Sequence, residues 1–485
     1  MNQVKKEQVK KENKPVDVAG REEVAFINAF FILFKTAQYV DANNATYQTQ
    51  SSKFYVTFRR LVDAYGKISV KVIDGRIFVR DKLVRFDSEG IVRARGIVDA
   101  WHQLGVGGVT LDDSLDNRQI DKFIYLVNSL DRQSRNREDV ARRLTELGIE
   151  GISLLAAVRR ERKAVLSEEK RKLMRRTARV TFFRAISVVE ESMIRASHDK
   201  EIDISKARRV VQSLIEQISE DECSLIELTN IRDFDEYTYA HCANVCVYSL
   251  TIGVKLGLDR TQLSDLGFAA LFHDIGKIKL PEDLIRKPDI FDENDWIQMQ
   301  RHPLLGAKTI LRNLRFSRQT AHAAIVAFEH HVNRDYTGYP SLVNRRPIDL
   351  FSRIVTIADT FDALNSGRLY IKKPIPPDEV LRKMMYQMNV KFDDFLMKLF
   401  VNIIGVYPPG TMVLLSDERL GVIARTNQNA LSRPVVKIIG DKSGPYVQFD
   451  EIDLSESVNA DKKVVRIIDP AKYNIDVKNI ILCDR

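Results

Sequence analysis

The sequence of 485 residues predicts a mainly α-helical protein with an N-terminal α/β module and a small C-terminal β subdomain. Three observations support this fold class. Residues 205–405 have the apolar spacing of helices, whereas two alternating runs joined by Asp74-Gly75 mark a β-hairpin near the N-terminus. Short β-like runs separated by turn residues follow Pro408-Pro409-Gly410.

The first 157 residues predict two segments. Residues 1–20 are rich in lysine and lack aromatic side chains, which is typical of a disordered tail. Residues 21–157 predict an α/β module with a helix over 22–40, a hairpin from 68–73 and 76–79, and buried strands within 104–111 and 147–154. No catalytic cluster is visible in this module, so we expect a sensor or a docking module that binds a protein partner.

Residues 158–204 contain neither proline nor glycine and predict a helical linker, through which a homodimer could form. Between residues 159 and 182, ten Lys/Arg side chains stand against three acidic ones, a local charge of +7 within a total of +9. No aromatic interleaving or nucleic-acid motif accompanies this run, so a solvated helix face is the favoured interpretation.

The cysteine content and the apolar runs predict the cellular location of the protein. The four cysteines form no CxxC pair, which argues against a disulfide framework and a zinc-thiolate site. The strongest apolar run, residues 26–34, is too short to cross a bilayer and lacks the layout of a signal peptide. The sequence therefore predicts a cytoplasmic protein without a transmembrane segment.

The most informative stretch is Leu271-Phe272-His273-Asp274-Ile275-Gly276-Lys277. Adjacent imidazole and carboxylate groups suit a divalent metal, and a carboxylate can bridge two metals. Lys277 follows Asp274 by three residues, so on a helix it returns to the same face. A metal and a cation on one face would bind a phosphate ester.

Further histidines in the helical block complete a candidate metal centre. They are His241, His302, His330 and His331, with Asp359 later in the chain. Two metals need about six to eight protein ligands, and histidine with aspartate suits iron, manganese or zinc. We expect His102, His198 and His322 not to bind metal, and Cys242 and Cys246 to be buried core thiols.

These residues belong to motifs that resemble the HD-GYP family. In chain order the motifs are Asp235–His241, His273–Lys277, Arg301–Gly306, His330-His331 followed by Gly338-Tyr339-Pro340, and Ile354–Leu364. The resemblance implies that residues 205–405 form an HD-type helical bundle. It also implies a metal-dependent phosphodiesterase that hydrolyses cyclic di-GMP in bacterial second-messenger signalling. Beyond the resemblance, the β-like runs at 412–415, 421–424 and 435–439 predict that residues 406–485 form a small β subdomain, at about 406–440, followed by an irregular polar tail.

The resemblance also assigns roles to individual residues. Asp274 would bridge two metals and, with Lys277, serve catalysis. Lys277, Arg368 and Tyr339 would contact the substrate. Position 237 is a tyrosine where some members have a glutamate for a third metal, so two divalent ions are expected, with iron and manganese favoured and zinc compatible. The implied metal ligands are His241, His273, Asp274, His302, His330, His331 and Asp359.

The sequence departs from the family at substrate-contact positions. Val332 stands where the family has a glutamate, Tyr336 replaces a glycine, and Ile371 replaces a basic residue. Three interpretations therefore remain open: an active phosphodiesterase for cyclic di-GMP that its N-terminal module regulates, a catalytically weak metal-loaded adaptor that binds a nucleotide or protein, and a hydrolase of another cyclic dinucleotide or nucleotide.

Overall fold

The computed structural model divides the chain into two compact units, residues 1–164 and 165–485. It describes residues 19–485 except 39, 74–75, 87–89, 91–93, 95–97, 99–100, 102–103, 130–136, 157–167, 232–236, 288, 367–374, 428–429, 442–443, 471–474, 476–479 and 481–485. Within these ranges the predicted fold class is confirmed: a mainly α chain with an N-terminal α/β unit and a small C-terminal β-sheet.

The first unit combines helices with one antiparallel sheet of strand order β3-β2-β1-β4-β5. Its described elements are α1 (Arg21–Thr36), α2 (Ala45–Tyr65), β1 (Lys67–Ile73), β2 (Arg76–Val79), β3 (Lys82–Leu83), β4 (Val106–Asp112), α3 (Asn117–Ser129), α4 (Arg137–Glu146) and β5 (Ile152–Ala156).

The predicted hairpin is confirmed, because Ile73 pairs with Arg76 and Val70 with Val79 in antiparallel register. The buried strand predicted within 104–111 is β4, whereas the run 147–154 becomes a strand only from Ile152, as the partly buried β5. The two strands are antiparallel neighbours separated in the chain by α3 and α4. Aromatic side chains of α1 and α2 fill the core, where Phe30 lies 5.5 Å from Phe54 between ring centroids.

The second unit begins with helices. They are α5 (Glu168–Ser197), α6 (Ile204–Glu220), α7 (Glu222–Leu228), α8 (Tyr237–Leu256), α9 (Arg260–Leu271), a 3-10 helix (Ile275–Lys279), α10 (Glu282–Ile285), α11 (Glu293–Met299), α12 (His302–Asn313), α13 (Arg318–Glu329), α14 (Leu350–Asn365), α15 (Pro377–Tyr386) and α16 (Asp394–Ile404). Helix α5 lies within the predicted linker.

Helices α8 and α14 form the centre of this unit. Almost every residue from 241 to 253 and from 350 to 363 is buried, and a helix that is buried on all sides belongs to the interior of a bundle. The two helices pack directly against each other. Polar side chains on these helices are therefore withdrawn from water and need partners.

The C-terminal sheet has five antiparallel strands in the order β10-β6-β7-β8-β9. The strands are β6 (Met412–Leu415), β7 (Leu420–Arg425), β8 (Val435–Asp441), β9 (Gly444–Asp453) and β10 (Val464–Ile467). The sequence predicted β6, β7 and β8. Strands β9 and β10 lie in the segment that we expected to be an irregular tail. Among the described residues, no helix combines the length and hydropathy needed to cross a membrane.

Candidate metal centre

The seven predicted metal ligands converge inside the helical unit. His241 lies in the second turn of α8, His273 and Asp274 follow the end of α9, and His302 begins α12. His330 caps the C-terminus of α13 and His331 follows it, while Asp359 lies in the middle of α14. Five separate helices thus supply one cluster.

Asp274 lies at the centre of this cluster, and its two oxygens face different histidines. Oδ2 is 3.5 Å from Nε2 of His273 and 3.6 Å from Nε2 of His241. Oδ1 is 3.3 Å from Nε2 of His302 and 3.7 Å from Nε2 of His330. A carboxylate with this surrounding can bind one cation through each oxygen.

The other ligands divide the cluster into two halves. One half, called the His241 half, has its ligand atoms within 4.8 Å of one another. It consists of His241, His273 and Asp359. The same limit encloses the ligand atoms of His302, His330 and His331, called the His302 half. Asp274 contacts both halves, so the arrangement can hold two divalent ions.

Hydrogen bonds at Nδ1 fix the orientation of four of the histidines. Nδ1 of His273 donates to the carbonyl of Ala270 at 2.7 Å, and Nδ1 of His302 to Met299 at 2.8 Å. Nδ1 of His330 lies 2.9 Å from the carbonyl of Ala327, and Nδ1 of His241 lies 2.7 Å from Asp362. With the proton on Nδ1, each Nε2 carries the lone pair that a metal requires.

Burial keeps most of these histidines neutral. It lowers the pKa of His273 to about 4 and that of His302 to about 3, although the charge of Asp274 opposes both shifts. The pKa values of His330 and His331 are also lowered by burial. Because metals bind the neutral imidazole, these four side chains are in their binding form at neutral pH.

The aspartates shape the remaining electrostatics. Burial alone would lower the pKa of His241, but hydrogen bonds with Asp359 and Asp362 outweigh it and raise this pKa to about 9. Burial would raise the pKa of Asp274, but the charge of Lys277, followed by those of the histidines, holds it well below its ordinary value. The carboxylates thus favour a positive charge at Nε2 of His241, which a metal can supply in place of a proton.

Unsatisfied buried atoms test whether a metal fits this cluster. Nε2 of His273 and Oδ1 of Asp274 are buried, and neither has a hydrogen-bond partner among the described residues. Buried polar atoms without partners cost free energy, and both atoms are metal-ligand types. The donor set of histidine nitrogens and aspartate oxygens therefore fits divalent iron, manganese or zinc.

Comparisons with known proteins agree with this geometry. Residues 213–396 match the family model described as HD domain. These residues form an HD domain. Residues 412–475 match a second model, described as a KOW domain associated with the HD domain, and they cover the C-terminal sheet. The predicted resemblance is confirmed at the level of the family.

Three curated proteins are similar to parts of this chain. A cyclic di-GMP phosphodiesterase of Pseudomonas aeruginosa is 31% identical over 264 residues, 54% of this chain and 63% of that protein. A 3'3'-cGAMP-specific phosphodiesterase of Vibrio cholerae is 31% identical over 34% of this chain and 31% of its own length. A cyclic di-GMP phosphodiesterase of Thermotoga maritima is 33% identical over 32% of this chain and 41% of its own length. The chain thus spans less than two thirds of each of these relatives.

Two of the three predicted substrate residues, Lys277 and Tyr339, lie at the rim of the cluster. The ammonium group of Lys277 contacts Oδ2 of Asp274, and its side chain is 15% exposed. The ring of Tyr339 lies 4.6 Å from that of His331, whose side chain is 14% exposed. Arg368 and Ile371 lie outside the described residues.

The loop that carries Tyr339 shows what two departures from the family do. Val332 is buried at 3% exposure and forms an isolated bridge with Gly338, so it packs inside the HD domain. Tyr336 has a φ of +69°, a conformation that favours glycine, which accounts for the family's glycine at this position. The tyrosine ring lies 5.5 Å from the guanidinium group of Arg345.

Sequence reasoning missed several polar residues that support the ligands. Asp362 contacts His241, and Asn244 donates to Asp362 at 2.9 Å. The hydroxyl group of Thr356 donates to the carbonyl of His330 at 2.8 Å. The signal for Asp362 was its position three residues after Asp359, which places both carboxylates on one face of α14.

The residues expected not to bind metal fall as follows. His198 is exposed, and His322 lies beside Phe351 with 5.0 Å between ring centroids; neither belongs to the candidate metal groups. His102 lies outside the described residues. Cys242 and Cys246 are fully buried free thiols, as predicted.

Proposed function

We propose that this chain is a metal-dependent phosphodiesterase that hydrolyses cyclic di-GMP. The observation that carries the proposal is the position of Asp274, whose two oxygens face two separate sets of histidines. A carboxylate between two cation positions is typical of sites that cleave phosphate esters with two metals. The relatives from Pseudomonas aeruginosa and Thermotoga maritima are named as cyclic di-GMP phosphodiesterases, which supports the choice of substrate.

The side chains of the cluster have different roles in the proposed reaction. Two divalent ions, when bound, would supply Lewis acidity and lower the pKa of a water molecule to near neutrality. Asp274 and the histidines hold their ligand atoms in fixed positions because the protein packs and hydrogen-bonds them. Lys277 places a positive charge at the rim, where it stabilises the negative charge that develops on a phosphate oxygen.

Iron or manganese is the proposed metal, and zinc is compatible with the same ligands. We further propose that the protein acts in the cytoplasm in bacterial signal transduction, and that its N-terminal module regulates the HD domain or binds a protein partner. Tyr339 and Arg368 are proposed to contact the substrate together with Lys277.

One experiment tests the central proposal. The protein is purified without oxygen, its metals are counted, and cyclic di-GMP and 3'3'-cGAMP are assayed for linear dinucleotide and mononucleotide. We expect cyclic di-GMP turnover that falls roughly 100-fold or more in Asp274→Ala. Asp265→Asn is the matched control, because Asp265 is also buried but pairs with Arg318 away from the cluster.

A second candidate function is a metal-loaded adaptor that binds a nucleotide or a protein without turnover. The buried Val332 favours it, because an apolar side chain inside the domain cannot replace a glutamate at the substrate. Full metal loading and tight binding of cyclic di-GMP without turnover would select the adaptor. Turnover of 3'3'-cGAMP in preference to cyclic di-GMP would instead select the alternative hydrolase.

A homodimer through α5 completes the proposal. Leu173, Val180 and Ile194 are 64%, 62% and 49% exposed, and their spacing of 7 and 14 residues places them on one stripe of the helix. Large apolar side chains in such a stripe are typical of a helix that pairs with another.

The charges of α5 favour a second copy in antiparallel orientation. Basic Arg176 and acidic Glu190 lie seven residues on either side of Phe183, so a two-fold axis at Phe183 would pair opposite charges. Val180→Glu is expected to convert the dimer into a monomer in analytical ultracentrifugation, whereas Lys279→Ala, outside the stripe, is not. A wild-type monomer at micromolar concentration would contradict the dimer.

A further inference from the structure

Asp362 lies directly behind a candidate metal ligand. Its Oδ2 is 2.7 Å from Nδ1 of His241, and its Oδ1 accepts a hydrogen bond from Nδ2 of Asn244 at 2.9 Å. The carboxylate is only 1% exposed, so it is fixed by these contacts. Nε2 of His241 then points toward Asp359, with 3.1 Å between Nε2 and Oδ1.

The other oriented histidines have a different kind of partner. Nδ1 of His273, His302 and His330 each lies against a backbone carbonyl, at 2.7 to 2.9 Å. A carbonyl fixes the tautomer but brings no net charge. A carboxylate fixes the tautomer and also makes the imidazole a stronger donor to a metal. Among the described Nδ1 contacts of these four histidines, the carboxylate partner is found at His241.

The negative charge of the cluster is therefore uneven. The His241 half contains Asp359 and has Asp362 behind it, whereas the His302 half consists of three imidazoles, of which His331 lies 3.7 Å from Oδ2 of Asp359. Asp274 contributes one oxygen to each half. The charge of Lys277 does not cancel the difference, because Lys277 contacts Asp274, the carboxylate that both halves share.

We propose that Asp362 is a positioning residue that makes the two metal positions unequal, so that the His241 half binds its divalent ion more tightly and fills first. The proposal rests on the metal-dependent function proposed above. It assigns Asp362 no contact with substrate. Its effect passes through the orientation and donor strength of His241.

The test measures metal binding without any assay of activity. Metal-free full-length protein is titrated with Mn²⁺, and free Mn²⁺ is followed by electron paramagnetic resonance. We expect wild type to bind two ions in two resolved steps. Asp362→Asn, which keeps the shape of the side chain but removes its charge, should weaken the tighter step about 10- to 100-fold and leave the weaker step within about threefold.

Two further variants assign the steps. His302→Ala should abolish the weaker step and retain the tighter one. Asp265→Asn, the buried aspartate that pairs with Arg318, should retain both steps, and circular dichroism confirms that each variant is folded.

Three results would overturn the inference. They are two steps of equal affinity in wild type, two steps that are unchanged or equally weakened in Asp362→Asn, and loss of the tighter step in His302→Ala. A wild-type protein that binds no Mn²⁺, Fe²⁺ or Zn²⁺ would instead overturn the proposed function itself. The two failures are thus distinguishable.

Discussion

Gly276 lies against the backbone of His302, so closely that a Cβ atom on Gly276 would be 2.0 Å from the carbonyl oxygen of His302 and 2.4 Å from the amide nitrogen of Gly306. This contact packs the 3-10 helix against the first turn of α12. The 3-10 helix carries Lys277, and α12 begins with a candidate ligand. The glycine thus allows the cation and the histidine to approach the same carboxylate.

Substituting Gly276 by alanine should therefore displace the two segments. We expect a loss of about 1–3 kcal/mol in the free energy of unfolding, since backbone atoms cannot yield as a flexible side chain can. Urea denaturation in the presence of chelator measures this without a contribution from metal. Lys279→Ala on the same 3-10 helix is the control, because its ion pair with Asp199 is exposed to solvent and contributes little to stability. Equal stability of Gly276→Ala and wild type would show that the backbone relaxes freely.

Removing metal should lower the thermal stability of the second unit. The cluster buries the carboxylates of Asp274 and Asp359 together with four histidines, and bound cations would satisfy the buried Nε2 of His273 and Oδ1 of Asp274. A ligand at about 100 times its dissociation constant adds about 2.7 kcal/mol to the free energy of unfolding. Calorimetry of chelated and Mn²⁺-reloaded protein should show a higher midpoint after reloading. The difference should vanish in Asp274→Ala, and a metal-independent midpoint in wild type would contradict this prediction.

The C-terminal sheet shows how far periodicity alone predicts structure. The three strands found from the sequence, β6 to β8, occupy the middle of the sheet and are mostly buried. The two strands that were missed, β9 and β10, are its two edges. Edge strands contact the core less, so their sequences, GPYVQFDEID and VVRI, carry a weaker apolar signal.

The candidate site shows a similar division between local and distant information. Histidine and aspartate ligands are recognisable from residue types and motif order, and the structure places all seven in one cluster. The role of Asp362 could not be read from the sequence, because its partner His241 lies 121 residues away. The contact between Asp362 and His241 is made by the packing of α8 against α14, and this packing cannot be read from a single sequence.

Glu227 on α7 predicts a pH dependence away from the metal cluster. Burial raises the pKa of this carboxyl group to about 7, because it outweighs the opposing charges of Arg175 and Lys437. The folded state therefore retains the proton that the unfolded chain releases near pH 4.5. The contribution of Glu227 to the free energy of unfolding is fully present below pH 4.5 and is lost as the pH rises through about 7.

Glu227→Gln should remove this dependence. We expect it to match wild type in urea denaturation at pH 5 and to be more stable than wild type at pH 8. Glu282→Gln is the control, because it makes the same substitution at a side chain that is 73% exposed. A Gln variant that is less stable at pH 8 would mean that the carboxylate is needed by its basic neighbours.

Arg433 connects β8 to the segment that follows β9. Its Nη2 donates to the carbonyls of Asn459, Ala460 and Lys462 at 2.9, 3.2 and 3.2 Å, and its Nε donates to the carbonyl of Leu454. A planar guanidinium group can reach several carbonyls at once, whereas the ammonium group of lysine cannot reproduce this geometry. Arg433→Lys should therefore weaken the C-terminal edge of the sheet by about 1–3 kcal/mol.

Hydrogen exchange monitored by mass spectrometry checks this prediction locally. Amides of residues 450–467 should exchange faster in Arg433→Lys, while those of α8 should be unchanged because the helical core does not depend on this side chain. Arg419→Lys is the matched control, since the side chain of Arg419 pairs with Asp417 two residues earlier and leaves distant carbonyls untouched. Equal protection of residues 450–467 in both variants would show that strand pairing alone holds the edge. Faster exchange in α8 would show instead that the sheet supports the helices that carry the candidate metal ligands.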